Sequence, residues 1–155
     1  MFSQTKQDKK RDKKAQKEIE YIAIKELIDS KSYEFEASWA NAQRGARVSL
    51  IGRSNYLRIK GDSIYTNLSY FGARNGTSGY TDSGGIEINS VFDSYKVEHN
   101  DKKAKTIIKI SVKNSSESFD LILAVYGGGN GVVTILGSTR SNISYEGEFS
   151  EIDKE

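Results

Sequence analysis

The chain has 155 residues, enough for one domain with a substantial core and too few for a second of similar size. It has no cysteine, no proline and one histidine, His99, which excludes a disulfide framework, a thiolate nucleophile and Cys-ligated zinc, and leaves a Ser-His-Asp triad or a His-rich metal site with a lone candidate. The net charge of +2 is uneven: residues 1–17 carry seven Lys/Arg against Asp8 and Asp12, and the rest of the chain carries 16 bases against 19 acids, so a basic, flexible leader precedes a mildly acidic body.

No aromatic ring interleaves with the leader lysines as base stacking would require, so nucleic acid is not an expected partner. Attraction to anionic head groups would make the chain peripheral to a membrane at most, because no apolar run approaches bilayer length. The start, MFSQTKQ, is similar to the region around the signal-peptidase site of exported Bacteroidetes proteins. That likeness implies a signal region removed or truncated, and a place in the periplasm or cell envelope.

From Ala15 to Ile28, Ile19, Ile22, Ala23 and Leu27 fall at helical spacing, with Tyr21, Ile24 and Ile28 as an adjacent row. Two rows make a wide apolar face suited to lying across a sheet. After Lys31 the period switches to 2: Tyr33, Phe35, Ala37 and Trp39 point inward between Glu34, Glu36 and Ser38. Further strands are expected at about 47–51, 55–60, 63–68, 85–89, 95–99, 106–112, 119–126, 132–136 and 143–149. Gly61 supplies the positive φ of a tight turn between 60 and 63. Strands joined by short turns, without helices between them, predict an α+β fold dominated by antiparallel β: one N-terminal helix packed on a curled, barrel-like meander sheet of about nine strands. Residues 18–150 form this single domain, between the 1–17 leader and a polar 151–155 tail.

YGGGNG, residues 126–131, lacks the Gly-Lys-Ser/Thr and following helix of a phosphate loop and reads as a hairpin turn. Glu34, Glu36, Glu87, Glu146 and Glu148 sit on polar strand faces, where solvated acids belong; a pair of them across a sugar bond would be the hydrolase alternative. Arg44, Arg47, Arg53 and Arg58 are either cross-strand partners for those acids or anion clamps. The least ordinary segment is SYFGARNGTSGYTDSGG, residues 69–85, with five of the chain's fourteen glycines and three rings. A connection of this length inside a compact domain is a binding loop or a self-filling cap, its rings packed into the core.

The order IDSKSYEFEA, YLRIKGDSIYTNLSYFG, GGIE, YKVEHNDKKAKTIIKISVK and STRSNISYEGE resembles an uncharacterised Bacteroidetes domain-of-unknown-function family of small exported proteins and lipoproteins, DUF4251-like, over about Tyr21 to Glu148. Relatives commonly have proline where this chain has Ser69, and no lipobox cysteine is present. The resemblance implies an envelope location and no activity.

The expected function is therefore a non-catalytic, monomeric envelope module, without cofactor or metal, that binds a small ligand or an envelope protein at the loop-bearing end of its sheet. Tyr70, Phe71, Arg74, Tyr80 and Asp82 are the candidate binding residues, with Arg140 and Tyr145 as neighbours from the last hairpin. A glycan hydrolase using two carboxylates, and a purely structural domain with no ligand, are the alternatives.

Overall fold

The structure is a computed structural model and describes residues 6–42, 47–52, 54–70, 85–113, 117–139 and 142–152. Helix α1 (Lys6–Asp29) leads into β1 (Ser32–Ala42), followed by β2 (Arg47–Ser49), β3 (Tyr56–Lys60), β4 (Ser63–Leu68), β5 (Ile86–Val91), β6 (Ser94–Asn100), β7 (Lys105–Lys113), β8 (Ser118–Tyr126), β9 (Asn130–Gly137) and β10 (Ile143–Glu151). Nine strands form one antiparallel, curled half-barrel in the order β5-β4-β3-β1-β10-β9-β8-β7-β6, and short β2 pairs with β1. The expected α+β architecture is the observed one. Neighbours in the sheet are neighbours in sequence except at β3–β1, which passes over short β2, and at β1–β10, where the first strand closes onto the last.

The two edge strands, β5 and β6, are separated in sequence by Phe92 and Asp93 alone. The Phe92 N–H donates to the Asp62 carbonyl at 3.1 Å and the Asp93 N–H to the Ser111 carbonyl at 2.7 Å, so this joint is bonded to both flanks of the seam it crosses. One nearly continuous strand thus serves both edges, its first half on β4 and its second on β7.

Alternation explains the core. Tyr33, Phe35, Leu57, Ile59, Ile64, Leu68, Ile108, Leu121, Leu123, Val133 and Tyr145 occupy the inner face and are all buried, while the intervening residues face out. Strand β1 departs from strict alternation. Its register against β10 shifts between Ala37 and Trp39, a β-bulge that turns Trp39 outward and brings Ala40 and Ala42 inward, correcting the expectation of an inward Trp39. Gly147 lies opposite this irregularity, where a Cβ would run into the Glu36 carbonyl. Trp39 is instead capped by the Arg47 guanidinium, 4.2 Å from its ring centroid.

Helix α1 begins at Lys6 rather than Ala15, because the Lys, Gln, Arg and Ala that read as leader are also good helix formers. Its apolar contact is narrower than the two-row face expected. Tyr21, Ile24 and Ile28 are buried and Leu27 half-buried, whereas Ile19 and Ile22 are 61% and 51% exposed. The helix meets β1 and β8 only through its last turns, crossing the end of the half-barrel where Gly127 and Gly129 allow close approach to Tyr21 and Ile24. Lys31, with φ +54, reverses the chain into β1, and its carbonyl accepts from the Gly61 N–H at 2.7 Å. The expected tight turns are present: Gly61 has φ +63 between paired Lys60 and Ser63, and Gly128 and Gly129 have φ +97 and +98 between β8 and β9.

Candidate functional site

The end of the half-barrel opposite α1 receives the end of β4, the start of β5, the β9–β10 connection and hairpin β1–β2. Ser69 and Tyr70 leave β4 here. The Tyr145 hydroxyl donates to the Ser69 carbonyl at 2.6 Å, and the Ser69 N–H donates to Asn55 Oδ1, also at 2.6 Å. Asn55 is itself fixed by the Ala37 N–H, which donates to its carbonyl at 2.9 Å. On the return side, Ile86 pairs with Leu68, and Gly85 passes so near that a Cβ would stand 2.6 Å from the Leu68 carbonyl oxygen. Both roots of the 71–84 segment are therefore held side by side on a rigid strand pair.

The sequence candidates divide accordingly. Tyr70 and Tyr145 are 1% and 0% exposed and belong to the core, so their rings fill the interior rather than line a surface. Tyr145 acts on the loop by holding Ser69. Phe71, Arg74, Tyr80, Asp82 and Arg140 lie outside the described residues, as do Arg44 and Arg53. The connection that contains Arg140 leaves β9 and enters β10 at this same end.

A hollow of about 490 Å³ opens on the outer face between β1 and β3, floored by Asn55 and walled by Glu34, Glu36, Tyr56, Arg58, Lys60 and Ile152. Glu34 and Arg58 are register partners joined by a 2.6 Å ion pair, and the Arg58 guanidinium lies 4.0 Å from the Tyr56 ring centroid. Glu34 and Glu36 project side by side from one strand, whereas glycoside hydrolysis needs carboxyl groups flanking the scissile bond. Elsewhere on the outer face, Glu146 is occupied by Asn41 at 2.8 Å and Arg47 at 3.3 Å. Among the described residues no group of three or more His, Asp or Glu could hold a metal ion. Alternation placed Glu34 and Glu36 on the outer face, but Asn55 was missed; the signal was a lone amide at the mouth of an apolar strand.

Shifted titrations gather at the other end, under α1. Tyr33 and Tyr95 share a 2.6 Å hydroxyl–hydroxyl hydrogen bond, and burial raises the pKa of both. The Tyr21 hydroxyl donates to Asp101 Oδ1 at 2.9 Å, and Lys25 Nζ approaches the same oxygen at 3.3 Å. Burial, followed by the Asp101 bond, pushes Tyr21 up to about 12, while the Tyr21 bond and then Lys25 hold Asp101 below the usual carboxylate range. With His99 against Asp29 at 3.3 Å, these pairs fasten the helix to the strand ends.

A family model described as "Domain of unknown function (DUF4251)" matches residues 13–149. The crystal structure of a DUF4251 family protein from Bacteroides eggerthii is similar in fold, with a TM-score of 0.68 over 86% of this chain and 88% of that one, at 15% sequence identity. No curated protein matches the chain.

Proposed function

This chain belongs to the DUF4251 family, and from that premise we propose that it is a non-catalytic module of the periplasm or cell envelope that binds a partner through the 71–84 segment. The observation that carries this reading is the pinned root. Tyr145 and Asn55 hold Ser69 from two sides while Gly85 packs on Leu68, the arrangement of a recognition loop borne on a stiff scaffold. Within it Phe71, Arg74, Tyr80 and Asp82, joined by Arg140, make the contacts, and Tyr70 and Tyr145 anchor them. The partner is an envelope protein or a small ligand, and the module is a monomer. The basic start of α1 suits a chain peripheral to a membrane at most, and no described helix is long and apolar enough to cross one.

The test replaces residues 72–83 by a short Gly-Ser turn and compares the variant with the full chain by cross-linking in envelope fractions of the native host. Partner cross-links should vanish while the thermal midpoint is kept. Identical cross-linking by both proteins would refute the reading, and recovery of the protein in the cytosolic fraction would refute the location.

A further inference from the structure

The outer-face hollow has a feature that surface grooves between strands lack. Asn55 is 2% exposed and lines it, yet only one end of its amide is engaged. Oδ1 accepts the Ser69 N–H, which fixes the orientation of the amide, since a backbone donor must face the oxygen. Nδ2 then points away from Ser69 with two N–H donors and no protein partner among the described residues. No described buried side-chain nitrogen or oxygen is both sealed from solvent and unpaired, so this nitrogen has its access through the hollow. A nearly buried amide whose orientation is fixed and whose two donors face only the hollow is a preformed hydrogen-bonding site there, open to water or to a ligand that displaces it.

The walls indicate what that something is. Glu36, exposed on β1, offers acceptors; Lys60 and the exposed Ser54 offer donors; the Glu34–Arg58 pair offers both. A charged ligand would have to compete with that 2.6 Å pair and would meet the unlike charge beside it. A neutral ligand bearing several hydroxyls needs no such exchange, because each hydroxyl donates to a carboxylate and accepts from an amide or guanidinium at once. The volume of about 490 Å³ is within the range of small-ligand clefts. We propose that this hollow is a binding site for a neutral saccharide, with Asn55 Nδ2 as the donor at its floor and Glu36 and the Glu34–Arg58 pair as its walls. Binding here is separate from partner capture by the 71–84 segment and survives the loss of that segment.

The experiment follows the Asn55 side-chain amide by ¹H–¹⁵N NMR in the full-length protein during titration with glucose, N-acetylglucosamine, maltose and N,N′-diacetylchitobiose, with glycylglycine and inorganic phosphate as charged probes. A saturable shift of the Asn55 NH₂ pair with at least one saccharide, and with neither charged probe, is expected. Asn55→Asp retains the acceptor for Ser69 and removes both free donors, so affinity, read in parent and variants alike from the backbone amides of the lining residues Tyr56 and Arg58, should fall about tenfold. Should Asn55→Asp fail to fold, Glu36→Gln, which touches neither the loop root nor the core, should weaken the same titration severalfold. The proposal is overturned if no saccharide gives a saturable shift, if a charged probe alone does, or if a folded variant binds as tightly as the parent.

Discussion

Gly147 shows how one residue sets the geometry around it. Its missing Cβ allows β1 to bulge against β10, and the bulge turns Trp39 out to Arg47 while Ala40 and Ala42 fill the interior. Gly147→Ala would force a methyl into the Glu36 carbonyl, and should destabilise the protein by about 3 kcal/mol in urea unfolding, with Trp39 fluorescence reporting a changed environment. A glycine with open space around it, such as Gly61, would not produce that signal. The bulge was not legible in the sequence, because its cause sits on a strand more than a hundred residues away. Asn55 was equally hidden: a polar residue before a strand is ordinary until Ser69 is seen to use half of its amide.

Elements were more legible than residues, and the reason is burial. Wherever one strand face meets the core, as in Tyr33, Phe35 and Ala37 or Ile108, Ile110 and Val112, the period of 2 is visible directly. Helix α1 was harder to read, since the propensity that extends it to Lys6 leaves no apolar mark, and since Ile19 and Ile22 imitate a buried row that the sheet does not reach. An isolated helix of this composition, with lysines toward its N-terminus and Asp29 in its last turn, works against its own dipole, so packing must hold it. Ile28→Ala should therefore cost about 3 kcal/mol, and Ile19→Ala less than about 0.5 kcal/mol, in parallel denaturant titrations. Equal effects would mean that Ile19 is covered after all. The candidate loop was legible as an irregular, ring-bearing segment, but the burial of Tyr70 and the reach of Tyr145 to Ser69 across the sheet depend on tertiary packing that the local sequence does not carry.

Across the whole molecule, the two ends of the half-barrel have different chemistry. At the helix end, Tyr21, Tyr33 and Tyr95 have folded-state pKa values raised above the ordinary value near 10. A group that prefers to stay protonated in the fold contributes stability fully below its unfolded pKa and loses it as pH rises through the folded one. The unfolding free energy should accordingly fall as pH is taken from about 10 to about 12, with phenolate absorbance rising in step, and Tyr21→Phe should flatten that slope. Asp101 has the opposite sign: its contribution is present above the unfolded carboxylate value and fades as pH drops through the lowered folded one, so Asp101→Asn should blunt the acid limb. The pairing of β1 with β10 has a consequence in time as well as in space. Until Glu151 has been made, the strand from Tyr33 to Ala42 lacks one of its long partners and the barrel interior stays open to water. Folding of this chain is therefore expected to be limited by the meeting of β1 and β10, a pairing that must close a loop of about a hundred residues before either strand is covered.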